Sequence, residues 1–183
     1  NLDKLGQKAQ DTSELFFNDV KVPKENLLGE EGMGFIYLMR ELPQERLSIA
    51  VSAVAGCESV MEQTVKYVKE RKAFGKTIAD FQNTQFVLAQ LEAEVTAMRI
   101  FIDRCAELLL KKELTTVDAS KAKLLATELQ GRVTDQCVQL HGGYGYMWEY
   151  PVTRAYADAR IQRIYGGTSE VMKLIIGRDL LSD

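Results

Sequence analysis

Histidine is nearly absent from this chain of 183 residues. With His141 alone, a histidine-rich metal site is excluded, and a Ser-His-Asp triad would have to be built around that one side chain. Cysteine is scarce and scattered: Cys57, Cys105 and Cys137 stand far apart with no Cys-x-x-Cys spacing. Such usage suits packed thiols in a reducing compartment, not a disulfide frame or a zinc site. No metal centre is expected. Only 3 prolines and 13 glycines interrupt the chain, which favours long unbroken elements. There is no excess of cations, with 23 Lys+Arg against 26 Asp+Glu and a net charge of -3, so no nucleic-acid footprint is expected. The longest charge-free run, residues 136–148, is too short and too rich in Gly, Tyr and Gln to span a bilayer. Neither Gly-x-Gly-x-x-Gly nor a Walker loop occurs, so dinucleotide binding by those routes is not indicated.

What is present is ordinary for a soluble globular protein, with 46% hydrophobic and 27% charged residues in a length that suits one domain or one domain plus part of another. The opening Asn1-Leu-Asp-Lys-Leu-Gly-Gln-Lys8 is neither an initiator nor a signal peptide, so the chain is expected to begin inside a longer protein. Residues 13–22 read as a strand ending at Pro23. A helical pattern runs from about Met33 to Glu70 on Leu47, Val51, Val54, Met61, Val65 and Val68. Pro43 falls inside it, which predicts either a kink or a helix that starts after the proline. Residues 71–77 break the pattern. A second helix, about 81–111, carries Leu88, Leu91, Val95, Met98, Ile102, Cys105 and Leu109 in steps of three and four, a heptad-like seam for antiparallel packing. A third, about 117–140, has the small Ala122 and Ala126 beside Leu129 and Val133 on its apolar face. A short helix follows at about 152–163, and Tyr165-Gly-Gly-Thr-Ser-Glu170 then leads into a last helix to about Leu181. The fold class is all-α, an up-down four-helix bundle with extra short C-terminal helices. Residues 1–30 read as the remnant of a β-domain and its linker, and 31–183 as the bundle.

Several groups could carry chemistry, each with a plainer reading beside it. Gly142-Gly143 follows a helix, as a C-cap would. Gly166-Gly167 precedes one, with Thr168 or Ser169 as N-cap and Glu170 in the first turn; free N–H groups there can also hold a phosphate or a carbonyl oxygen. Glu45 is either a solvated helical acid or a general base whose pKa a desolvating cleft would raise. Arg71 is either a cation at a helix C-terminus or a bidentate partner for a diphosphate. Spacing by itself leaves these pairs open.

The segments Arg71-Lys-Ala-Phe-Gly-Lys-Thr77 with Gln82, Gln139-Leu-His-Gly-Gly143, Glu149-Tyr-Pro151 and Ile164-Tyr-Gly-Gly-Thr-Ser-Glu170, in this order, resemble the carboxy-terminal region of acyl-CoA dehydrogenases. The resemblance covers the whole chain. It implies α,β-dehydrogenation of an acyl-CoA thioester, in which a carboxylate removes the α-proton and the β-hydrogen leaves as hydride to FAD. In many members the base is a Glu directly after the Tyr of a Tyr-Glu-Gly-Thr motif, a position that is Gly166 here. In long-chain and isovaleryl-type members a Glu on the first bundle helix fills the role, in a segment like Leu-Glu-Arg-Leu, and this sequence has Glu45 in Pro43-Gln-Glu-Arg-Leu47. The resemblance therefore assigns the base to Glu45. It places Tyr37, Pro43, Gln44, Arg46, Gly166 and Gly167 around the substrate, with Arg46 on the pantetheine side. It implies that Arg71, Phe74, Gln82, Gln139, Gly142 and Gly143 hold FAD of a neighbouring protomer, and that Thr168, Ser169 and Glu170 touch FAD of the same one.

Further expectations follow from the family. They are a homodimer or homotetramer through the bundle, electron-transfer flavoprotein as acceptor, and a bacterial cytoplasm or mitochondrial matrix as the compartment. The chain by itself is expected to bind FAD weakly and not to turn over. Ile36 stands before Tyr37 where an aromatic is expected, so the acyl length stays open. So do two other readings: a catalytically silent relative serving as an assembly module, and an acyl-CoA oxidase.

Overall fold

The computed structural model of the chain describes residues 1–182. Three long helices carry it: α1 (Gly34–Glu70), α2 (Gln82–Leu110) and α3 (Thr116–His141). Two shorter ones, α4 (Pro151–Ala159) and α5 (Ser169–Leu180), lie on α3. The expected all-α bundle is what forms.

The buried stripe of α1 reads Leu47, Ala50, Ala53 and Val54, Cys57, Val60 and Met61, Thr64, Val68, the three-and-four spacing of one helix face. On α2 the seam buries Leu91, Val95, Ile102 and Cys105 and half-buries Leu88, Met98 and Leu109. Two core clusters show how the helices run. Leu47, Ala50 and Ala53 meet Ile102, Cys105, Ala122 and Ala126 at one end, while Val60 and Met61 meet Leu91, Val95, Leu129 and Val133 at the other. Hence α1 and α3 run parallel and α2 runs against both, as short connections require. Alanines at 50, 53, 122 and 126, each fully buried, let α1 and α3 approach closely, and theirs is the most extensive helix pairing. All three cysteines are buried and free, and burial pushes the Cys57 thiol up to about 12.

Pro43 lies inside α1 and does not end it. It removes one donor, leaving the Met39 carbonyl without its helical partner. Met39 is on the exposed first turns, where water can satisfy that oxygen.

The 71–77 break is a hairpin. Strands β1 (Lys72–Ala73) and β2 (Lys76–Thr77) pair antiparallel, Lys72 opposite Thr77 and Ala73 opposite Lys76. Phe74 and Gly75 make the turn with φ of 52° and 81°, the two positive values a tight hairpin of this hand needs. The expected strand over 13–22 does not form. A strand needs a neighbouring ladder for its N–H and C=O groups, and among the described residues none pairs with it. Leu15, Phe16 and Phe17 are instead exposed. Nearer the start the chain is anchored: the Gln7 N–H donates to the Asp158 carboxylate on α4.

Candidate active site

The end of α1, the hairpin and the end of α3 surround an open groove of about 800 Å³. It is lined by Arg71, Phe74, Gln139, Gly142 and Gly143, so five of the six residues expected to face a neighbour's cofactor come together there. Gln82 is exposed at the start of α2, beside the lining residues Asn83 and Thr84. Aromatic rings form much of the wall. The Arg71 guanidinium lies 5.4 Å over the Tyr144 ring, and Tyr144 stacks on Tyr150 at 5.0 Å. Arg71 is exposed and, among the described residues, has no carboxylate within ion-pair distance. A cation without an anionic partner above an apolar, aromatic groove fits a flat heteroaromatic ligand with an anionic tail.

His141 closes the groove's inner end. Its ring stacks on Tyr67 at 4.2 Å, and Nδ1 lies 2.8 Å from the Cys137 carbonyl, so Nδ1 carries the proton. Burial lowers its pKa, opposed in part by that hydrogen bond. A histidine whose pKa is lower folded than unfolded binds its proton more readily in the unfolded chain. Stability is therefore fully present above the unfolded value and is lost as pH falls below it. Acidification from about pH 7.5 to about pH 5.5 should lower the melting temperature of the wild type more than that of His141→Gln, as differential scanning fluorimetry would read.

A second cluster lies at the loop before α5. Gly166 and Gly167 have φ of 65° and 102°, left-handed values that a side chain would strain. A Cβ at Gly166 would stand 2.5 Å from Ile49 Cδ1, and one at Gly167 would stand 2.7 Å from Met172 Cε. Arg46 is buried and donates from Nε to the Gly166 carbonyl at 3.2 Å. Lys123, fully buried on α3, donates from Nζ to the Gly167 carbonyl. Burial lowers the pKa of both; Arg46 lowers that of Lys123 further, and Glu128 opposes it.

Glu45 is exposed, one residue before Arg46 and one turn, about 6 Å, along α1 from Ile49. It thus lies on the helix face that Ile49 presents to Gly166. Tyr37, about two turns further back, is half-buried, and its hydroxyl accepts from the Glu30 N–H at 3.2 Å. Pro43 is half-buried and Gln44 exposed.

The Thr168–Glu170 segment begins α5. Thr168 caps the helix, accepting from the Val171 N–H at 3.3 Å. Ser169 donates to Glu128 at 2.6 Å, and Arg163 pairs with the other oxygen of that carboxylate at 3.2 Å. These groups line a recess separate from the Arg71 groove. The two expected cofactor sets therefore do not meet in one chain.

Residues 32–181 match the family described as the acyl-CoA dehydrogenase C-terminal domain. The chain is 57% identical over 182 residues to the long-chain specific acyl-CoA dehydrogenase of Rattus norvegicus mitochondria, covering all of the chain and 42% of that protein. The chain belongs to the acyl-CoA dehydrogenase family. It is also 41% identical over 181 residues to the CarC subunit of the caffeyl-CoA reductase–Etf complex of Acetobacterium woodii, covering 99% of the chain and 48% of that subunit. Among solved structures, an acyl-CoA dehydrogenase of Geobacillus kaustophilus superposes with a TM-score of 0.96 at 49% identity, over 99% of this chain and 48% of that one. A Bacillus anthracis acyl-CoA dehydrogenase complexed with FAD superposes with a TM-score of 0.92 at 32% identity, over 98% of this chain and 34% of that one. The chain thus spans less than half the length of these relatives.

In this acyl-CoA dehydrogenase domain Lys123 holds the Gly167 carbonyl, and it is not among the residues that the sequence marks. A signal was there. Lys123 is a cation next to the small-residue stripe of α3, beside Ala119, Ala122 and Ala126, all fully buried.

Proposed function

We propose that this chain is the base-bearing domain of an FAD-dependent enzyme that dehydrogenates acyl-CoA thioesters, with Glu45 as the base. One observation carries the reading: position 166 has no room for a carboxylate, and Glu45 stands one turn from the Ile49 side chain that fills that room. A side chain at 166 would need both a left-handed backbone and a displaced Ile49.

In this reading the thioester end of the substrate lies along Gly166 and Gly167, the acyl chain runs beside α1 past Tyr37, and Arg46, buried beneath that loop, holds the Gly166 carbonyl and not the pantetheine. Glu45 takes the α-proton onto a carboxylate oxygen. When bound, FAD supplies the hydride acceptor. Arg71, with Phe74, Gln82, Gln139, Gly142 and Gly143, holds the anionic part of FAD from one protomer. Thr168, Ser169 and Glu170 approach it from the other, which makes the site complete only in a homodimer or homotetramer. The separation of the two sets supports this arrangement. Residues 1–30 form the edge of an adjoining β-domain, and their exposed Leu15, Phe16 and Phe17 suit that contact. The likeness to a subunit of an Etf complex supports electron-transfer flavoprotein as acceptor, and the 57% identity to a long-chain enzyme supports a long acyl chain. A mitochondrial matrix or bacterial cytoplasm fits relatives of both origins.

The test uses the full-length flavoprotein under anaerobic conditions. Adding a series of saturated acyl-CoAs should bleach the flavin absorbance, fastest with long straight chains. Absence of bleaching with every acyl-CoA would leave the silent assembly module as the better reading. Rapid reoxidation of the bleached enzyme by air would favour an oxidase.

A further inference from the structure

We propose that Lys123 is a positioning residue of this site: with Arg46 it clamps two successive carbonyls of the Gly166–Gly167 loop and so sets the direction in which that loop presents its N–H groups. The inference rests on the reading of that loop as the thioester end of the cleft.

Lys123 is fully buried, and among the described residues no carboxylate lies within ion-pair distance of it. Burying an ammonium without a paired anion is costly, and an apolar residue of similar volume would serve packing better. What the ammonium touches is the Gly167 carbonyl, 44 positions away in sequence. Arg46, coming from α1, holds the Gly166 carbonyl, and its Nη2 lies 3.7 Å from where a Gly167 Cβ would be. Two buried cations from two helices therefore grip consecutive peptide groups of one loop. No cis peptide bond occurs in the chain, and a trans peptide points its C=O and N–H in opposite directions. Drawing the carbonyls of 166 and 167 inward turns the N–H groups of Gly167 and Thr168 outward, away from the bundle interior. Glycine at both positions leaves the peptide planes free to rotate, so an external grip is what fixes them. A donor array fixed before the substrate arrives costs no reorganisation when charge develops on the thioester oxygen.

The test compares wild type with Lys123→Met in the full-length, FAD-loaded enzyme. Methionine keeps the length and removes the charge. Turnover should fall by about a hundredfold, the cost of a misplaced group in a preorganised site, with KM little changed. Flavin content and melting temperature should stay near wild type. A second readout follows the carbonyl directly. A conjugated aryl-enoyl thioester of CoA shifts its absorption to the red when its carbonyl is polarised, and that shift should be smaller in Lys123→Met. Lys123→Gln, which keeps a donor without the charge, should lie between the two. Wild-type turnover and red shift in Lys123→Met would overturn the clamp. If Lys123→Met does not load flavin, Lys123→Gln is read instead, and failure of both to load flavin would assign Lys123 to folding and overturn it as well. A wild type that bleaches with no acyl-CoA but still red-shifts the bound probe counts against the dehydrogenase reading and not against the clamp.

Discussion

Replacing Glu45 by glutamine in the full-length, FAD-loaded enzyme should slow anaerobic bleaching of the flavin by acyl-CoA about a hundred- to ten-thousand-fold, the usual contribution of a positioned general base. The carboxamide has the shape of the carboxylate and no useful basicity, so the change removes proton abstraction and little else. The fold should not notice. Glu45 is exposed, and among the described residues it makes no side-chain hydrogen bond or ion pair. Exposed substitutions of this kind usually move stability by less than about 0.5 kcal/mol. Flavin content and melting temperature therefore serve as internal controls. Bleaching at the wild-type rate would remove Glu45 from the chemistry, since no carboxylate is available at position 166 to take its place.

Features written within one segment are legible in this sequence, and features completed by a distant segment are not. The helices were legible because their apolar positions recur every three or four residues: Leu91, Val95, Ile102 and Cys105 are buried as that seam requires. The helical alternative to a break at Pro43 is also the one realised, because one lost hydrogen bond on an exposed turn does not outweigh the packed face that follows it. Residues 13–22 misled for the opposite reason. Val, Phe and Leu favour a strand locally, but a strand is completed by a neighbour, and neighbours are not written in the segment itself. The site divides in the same way. Arg71 and the glycine pairs stand out as residue types at helix ends, and Glu45 as an acid just before an apolar helix face. Lys123 does not, because its role depends on a carbonyl brought to it from the far side of the chain, and a lysine within a helix ordinarily means a solvated face. Gly145 is a similar case: nothing in the run Gly142-Gly-Tyr-Gly-Tyr146 marks which glycine has no space beside it.

That glycine carries the largest stability effect expected here. Gly145 is buried in the turn Gly142–Tyr146, which folds back on the last turn of α3. A Cβ there would stand 2.4 Å from the Val138 carbonyl oxygen and 3.1 Å from both Val138 C and His141 Cβ. Backbone atoms in a helix cannot swing aside as a side chain tip can, so Gly145→Ala must lift the turn off α3. The turn holds more than itself. The Gly145 carbonyl accepts from the Thr153 hydroxyl at 2.8 Å, which ties it to α4. Its neighbour Tyr144 stacks on Tyr150 and lies under the Arg71 guanidinium. Overpacking of this kind costs about 1–3 kcal/mol. Because the strain falls on the wall of the Arg71 groove, flavin retention should fall together with melting temperature. Gly177→Ala supplies the contrast: that glycine lies inside α5 with nothing within 4 Å of its Cβ position. Alanine there should stabilise by about 0.5–1 kcal/mol, because it loses less backbone freedom on folding. In the full-length, FAD-loaded enzyme the two Gly→Ala changes should therefore shift the melting temperature in opposite directions, and only Gly145→Ala should release flavin on gel filtration. Equal shifts, or retention of flavin by Gly145→Ala, would mean that the groove wall yields, and that Arg71 is not held in place by the turn beneath it.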